Sequence, residues 1–158
     1  PQISGGGQEK GYRSGTENVP GICALGAAAA ESLECFDERM AAVAGLRALL
    51  EEHLADSGLV LNLPPQGAAF PGILSVTAPG VKSETLLNEM SGRGFCISSG
   101  SACSSHGKKA SLALASFGLD AAAADSTVRI SIGYANTEDE VCALAANLVD
   151  AVASLRRK

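Results

Sequence analysis

Apolar positions along the chain repeat at two different steps. Between about residues 20 and 56 the sequence is dense in Ala, Leu, Glu and Arg, all strong helix formers. Leu46, Leu49, Leu50 and Leu54 fall at three- and four-residue intervals, so they share one helix face. Pro20 suits a first helical turn, where its missing N–H costs nothing. The stretch is too long for one ordinary helix, and a break is expected near Cys35–Asp37. Ser57 and Gly58 close it. Residues 59–63 read as a short strand ended by Pro64 and Pro65. A loop over 64–71 follows, then a strand over 73–77 stopped by Pro79 and Gly80. Residues 83–90 predict a short helix with Ser83 as its N-cap and Glu84 in its first turn. Gly92 and Gly94 end it, and residues 95–98 read as a third strand. Residues 110–117 predict a short helix ending at Gly118. Residues 128–132 alternate apolar and polar, the mark of a half-buried strand. Thr137 and Glu140 stand at capping-box spacing and open a last helix with Val141, Leu144, Leu148 and Val152 on one side. The sum is a small α/β (α+β) sandwich, a short sheet packed by helices.

Composition sharpens this picture. The 158 residues are 46% hydrophobic and 18% charged, which is material for one domain with a real core. Aromatics make up 4% and Trp is absent, so aliphatic side chains and Ala must fill that core. The net charge of −5 and the lack of a basic stripe argue against a nucleic-acid partner. The one basic cluster, Arg156-Arg157-Lys158, fits the negative end of a helix. The uncharged, Ala-rich run at residues 18–30 falls short of the roughly 20 residues a bilayer needs, and no membrane partner is expected. No secretory signal is visible. The chain starts at Pro1 and runs straight into Gly5-Gly6-Gly7, so it reads as a piece of a longer protein.

Cysteines occur at 23, 35, 96, 103 and 142, an odd number without a C-x-x-C pair. That pattern suggests neither a disulfide framework nor a zinc site, so no metal is expected and a reducing cytoplasm is the default setting. Cys23, Cys35, Cys96 and Cys142 lie in helix or strand patterns and read as small core hydrophobes. Cys103 lies among Ser, Gly and Ala in residues 98–107, a stretch too small and polar for a regular element. It is either an inconsequential surface thiol or a reactive one. His106, Lys108 and Lys109 nearby favour the thiolate, and His106 is a candidate activator. His53, beside Glu51 and Glu52, reads as a solvated helix residue.

Two further groups carry potential chemistry. Residues 5–16 combine bare backbone N–H groups with Arg13 and the hydroxyls of Ser14 and Thr16. They read as a flexible loop or as an anion site. Arg129 sits within an alternating strand. It either faces water or, on that rigid support, grips a carboxylate with two parallel hydrogen bonds.

These three groups coincide with one family. Residues 5–21, GGGQEKGYRSGTENVPG, resemble the glycine-rich motif of NifS/IscS-type cysteine desulfurases. Residues 98–105, SSGSACSS, resemble their active loop. Residues 128–133, VRISIG, followed by Thr137-Glu138-Asp139-Glu140, resemble a strand and helix start that come next in that family. The resemblance covers nearly the whole chain, in the same order. It implies the small C-terminal domain of a pyridoxal-phosphate (PLP) enzyme of fold type I, the aspartate aminotransferase-like fold, working as a homodimer. Residues 1–20 would be the tail of the large cofactor domain, and 21–158 the linker helix and small domain. The implied reaction takes sulfur from L-cysteine, releases L-alanine and passes the sulfur to an acceptor protein, an iron–sulfur scaffold or a thiolation protein. By position, Cys103 would be the catalytic nucleophile that becomes a persulfide, Arg129 would bind the substrate carboxylate, and Thr16 would bind the cofactor phosphate of the neighbouring subunit. The family's Schiff-base lysine, the neighbouring histidine and the aspartate facing the pyridine nitrogen lie upstream of the first motif. Lys10, Lys82, Lys108, Lys109 and Lys158 match no such motif, so this stretch alone is expected to be inactive. After Cys103 the loop reads Ser104-Ser105-His106-Gly107, where many relatives carry Leu-Glu-Pro, which leaves the acceptor open. The alternatives are a cofactor-independent persulfide carrier and a non-catalytic dimerisation domain.

Overall fold

The computed structural model describes residues 1–64, 69–99 and 112–157. It divides into two compact units, Pro1–Glu38 and Arg39–Lys158. The first unit holds a glycine-rich loop and helix α1 (Val19–Glu34). Asn18 caps α1 by accepting from the Gly21 N–H at 3.1 Å, and Pro20 occupies the first turn. The expected break falls at Cys35, and α2 (Phe36–Leu54) follows. No single helix among the described residues is long and apolar enough to cross a membrane.

The second unit is built on a four-stranded antiparallel sheet in the order β1-β2-β4-β3. The strands are β1 (Val60–Leu61), β2 (Ile73–Thr77), β3 (Ser98–Ser99) and β4 (Thr127–Ser131). Between them lie α3 (Ser83–Gly92), α4 (Leu112–Ser116) and α5 (Ala121–Asp125), and α6 (Glu138–Arg156) ends the unit. The central pairing sets Leu74 opposite Ile130 and Val76 opposite Val128. All four are at most 2% exposed. They form the sheet's core face, and Leu46, Leu50 and Leu54 of α2, Leu86 and Met90 of α3, and Val141, Ala145, Leu148, Ala151 and Val152 of α6 pack into one cluster with them. Its buried members are aliphatic apart from Met90, and Phe95 packs against them.

The same register turns Ser75, Thr77, Thr127 and Arg129 to the other face. A polar relay crosses it. Asn62 Nδ2 donates to Ser75 Oγ at 3.1 Å and to Thr77 Oγ1 at 2.9 Å, and Thr77 and Thr127 share a 2.7 Å hydroxyl bond. Thr127 Oγ1 donates to Ala123 O, so Thr77 must be the donor in the shared bond. Thr77 and Thr127 are buried yet fully partnered, which removes the penalty of burying a hydroxyl.

Three arginines tie the helices and loops of this unit together. Arg47 is 9% exposed and donates to Glu51, Phe70 O and Ile73 O, joining α2 to the entrance of β2. Arg93 links α3 to Asp150 of α6 at 2.7 Å and also pairs with Glu89. Hydrogen bonds to Asp150 first and Glu89 second raise its pKa further, so it stays charged. Arg156 lies in the last turn of α6, at the negative end of that helix as expected, and also donates to Pro79 O and Gly58 O.

Four element assignments need correction. Lys82, without a side-chain cap, precedes α3, and Ser83 is its first, buried residue. The third strand pairs only at Ser98 and Ser99, while Phe95 and Ile97 pack against the core. β1 is confined to Val60 and Leu61. Helix α5 is unforeseen, although Asp120 caps it through the Ala123 N–H at 2.8 Å.

Truncating fully buried Leu148 to Ala should cost about 2–5 kcal/mol in urea unfolding. The α6 capping box makes two more predictions. Thr137 Oγ1 accepts from the Glu140 N–H, and Glu140 accepts from the Thr137 N–H at 3.0 Å. Removing the cap with Thr137→Ala should destabilise the unit by about 1 kcal/mol in the same assay. The bond from the Thr137 N–H, and then that from Asn136, hold the Glu140 carboxyl below the usual carboxylate range. A depressed folded-state pKa gives stability that is complete above the unfolded value and lost as pH falls through the folded one. Glu140→Gln keeps the acceptor but not the charge. The stability gap between wild type and E140Q should therefore be constant near neutrality and shrink as pH drops from the ordinary glutamate range, read by denaturation at each pH.

Candidate functional site

The glycine-rich loop of the first unit is folded on itself. Ile3 and Arg13 form a parallel bridge, the Gln2 N–H donates to Tyr12 O at 2.7 Å and the Ser14 N–H to Ile3 O at 3.2 Å. Buried Ser14 donates to Gly6 O at 2.6 Å, and Gln8 Oε1 accepts from the Gly15 N–H. Glu9 and Lys10 take left-handed φ values of 52° and 56°, a conformation that costs a non-glycine residue roughly 1–2 kcal/mol. Gly15 at φ 108° lies where side chains rarely go. The Arg13 guanidinium donates to Gly15 O at 3.1 Å and Thr16 O at 3.3 Å and lies 3.6 Å from Glu9. It braces the loop from within. Thr16 emerges exposed, two residues before the α1 cap, and its hydroxyl has no hydrogen-bond partner among the described residues.

In the second unit the sheet register builds a row of three residues. Arg129 stands opposite Ser75 on one side and Ser98 on the other. Val128 and Ile130 point into the core, so Arg129 must point out, and it is exposed. Its Nη2 lies 3.5 Å from Ser98 Oγ. Among the described residues no ion pair involves Arg129. A guanidinium on an interior strand, steadied at one edge and free elsewhere, is suited to a carboxylate ligand.

Cys103 and His106 lie outside the described residues. The other cysteines depart from the core reading. Cys23 and Cys96 are exposed, while Cys35 and Cys142 are half-buried. Their helix and strand patterns contain them without turning them inward. His53 is exposed, as its neighbours suggest, but its ring is engaged. Nδ1 lies 2.9 Å from Leu49 O, and Nε2 lies 3.7 Å from Cys142 Sγ. Ser98 is the site residue that motif reading leaves without a role. Its place beside Arg129 comes from the pairing of β3 with β4. Among the described residues no three His, Cys, Asp or Glu side chains gather as a metal site.

Comparison with known proteins follows the same lines. The family model of class-V aminotransferases matches residues 3–144. The mitochondrial cysteine desulfurase of Saccharomyces cerevisiae is 38% identical over 157 residues, covering 99% of this chain and 31% of that protein. Cysteine desulfurase IscS of Anaeromyxobacter sp. is 37% identical over 157 residues, covering 98% of this chain and 38% of that one. A solved NifS-like protein superposes with a TM-score of 0.81 at 33% identity, over 98% of this chain and 39% of its own. The chain thus spans between about three and four tenths of the length of these relatives. With its α+β sheet-and-helix architecture and a match across most of its length, the chain belongs to the class-V aminotransferase family, and its kinship there is with cysteine desulfurases of the NifS/IscS type.

Proposed function

We propose that this chain is the C-terminal part of a pyridoxal-phosphate-dependent cysteine desulfurase, acting as a homodimer in a reducing, cytoplasmic setting. On this reading residues 1–20 are the tail of the cofactor domain and 21–158 the linker helix and small domain. The observation that carries it is the row Ser75–Arg129–Ser98, where an unpaired guanidinium projects from the sheet next to the strand that leads into residues 100–111. Cys103 follows Ser98 by five residues, so chain length keeps its Cα within about 18 Å of Ser98. Substrate binding and sulfur capture are thereby tethered to one strand pair.

Arg129 takes the carboxylate of L-cysteine with two parallel N–H bonds, and Ser98 restricts the swing of the guanidinium. Cys103 then acts as nucleophile. Its thiolate forms an S–S bond to the substrate sulfur while the substrate Cβ–S bond breaks, leaving a persulfide on Cys103. Protonation of the organic remainder gives L-alanine. Pyridoxal phosphate supplies the electron sink for bond breaking when bound. Thr16 fits a contact to its phosphate, since the hydroxyl is exposed and unpartnered at the end of a loop whose own arginine is engaged elsewhere. In the homodimer that phosphate is the neighbouring subunit's. The persulfide passes to an acceptor protein, an iron–sulfur scaffold or a thiolation protein. None of the chain's lysines stands in a Schiff-base motif, so the 158 residues alone do not carry out the reaction.

In the intact protein supplied with pyridoxal phosphate and L-cysteine, Cys103→Ala should reduce alanine formation at least a hundredfold. Unchanged alanine output would reject the assignment. Arg129→Gln should raise KM for L-cysteine about 10–100-fold, the worth of a charged hydrogen-bonded pair, with a smaller effect on kcat. An unaltered KM would remove Arg129 from substrate binding.

A further inference from the structure

A second thiol in this chain is set against a base, away from the row around Arg129. Cys142 lies in the first turns of α6 and His53 in the last turn of α2, and their Sγ and Nε2 atoms are 3.7 Å apart. The tautomer of His53 follows from its other contact. Nδ1 is 2.9 Å from the carbonyl oxygen of Leu49. A carbonyl can only accept, so Nδ1 carries the hydrogen. In the neutral ring Nε2 is then bare and faces Cys142, whose S–H must be the donor. The pair is therefore a thiol hydrogen-bonded to an imidazole that is itself held by a third group, the arrangement that activates nucleophilic cysteines.

The surroundings supply room for a ligand. An open groove of about 450 Å³ borders the pair on the His53 side, lined by His53, Ala145, Ala146, Val149, Asp150 and Ala153 but not by Cys142 itself. That volume is in the range of small-molecule sites. Ala145 and Ala146 are three and four positions beyond Cys142, on the same side of α6, and their small side chains leave the approach open. The one carboxylate in the lining, Asp150, is held by Arg93 at 2.7 Å. Cys96 in the same unit is exposed but has no hydrogen-bond partner among the described residues, so it serves as an internal reference.

We propose that Cys142 and His53 form a second reactive-thiol site, which takes small-molecule disulfides by thiol–disulfide exchange. His53 Nε2 accepts the Cys142 proton. The thiolate attacks one sulfur of the disulfide, a new S–S bond joins Cys142 to that half, and the original S–S bond breaks. The leaving thiolate takes the proton back from His53. Cys142 is oxidised to a mixed disulfide, and the other half of the reagent is reduced to a thiol. This site stands independently of the desulfurase reading.

The test treats the intact protein with oxidised glutathione and follows each cysteine by peptide mass spectrometry. Cys142 should be modified faster than Cys96. His53→Gln should slow modification of Cys142 about tenfold while leaving the rate at Cys96 and the thermal midpoint unchanged, a modest share of the usual effect of a positioned base. Equal rates at the two cysteines, or a Cys142 rate indifferent to H53Q, would overturn the proposal. Nitrogen-15 NMR of the imidazole gives a second reading. The neutral ring should carry its hydrogen on Nδ1, and a dominant Nε2–H form would refute the dyad.

Discussion

The pairing register between β2 and β4 is the constraint on which the rest depends. Leu74 against Ile130 and Val76 against Val128 fix one face of the sheet inside the core. Side chains alternate along a strand, so Arg129 and Ser75 are forced to the other face. A slip of β4 by one residue would turn Arg129 inward and Val128 and Ile130 outward. Burying an unpaired guanidinium costs several kcal/mol, and exposing the aliphatic set costs several more. The position of the guanidinium is therefore a by-product of core packing, held by a cluster that reaches into α2, α3 and α6.

Polar groups around that core are arranged so that few are left to act. The Thr77–Thr127 hydroxyl pair is consumed in the relay from Asn62 to Ala123, Arg47 in the joint between α2 and β2, and Arg93 in the ion pair with Asp150. In the first unit, Arg13 is turned onto its own loop, which stabilises consecutive left-handed residues at Glu9 and Lys10. Backbone strain of this kind is often stored at functional sites. Among the described residues the Thr16 hydroxyl has no hydrogen-bond partner, the Arg129 guanidinium makes no ion pair, and Cys142 faces His53. The first two are the groups that sequence motifs single out. The third has no motif.

That contrast explains how much was legible in the sequence. Alternation located β4 to within a residue, because a half-buried strand writes its period into the chain, and the stop at Pro79 and Gly80 marked the end of β2. Local chemistry located the Thr137–Glu140 box, since caps depend on near neighbours, and the length of the helix-forming stretch pointed to the break at Cys35. Motif resemblance brought Thr16 and Arg129 forward. Features made by distant residues were not legible. Ser98 gains its place only from pairing with Arg129, and His53 of α2 meets Cys142 of α6 across 89 positions of the chain. Ser83 misled because a residue type favoured at caps was needed inside a helix, and α5 escaped because four alanines in a row carry no amphipathic period.

The central claim is that the register-fixed Arg129 recognises a carboxylate. A cycle that removes either partner tests it most directly: kcat/KM of the intact protein measured for L-cysteine and for cysteamine, which lacks the carboxylate, in wild type and in Arg129→Gln. The account predicts that the loss from wild type to variant is confined to L-cysteine, with a coupling of about 1.5–3 kcal/mol. Equal losses on both substrates, and so no coupling, would contradict it.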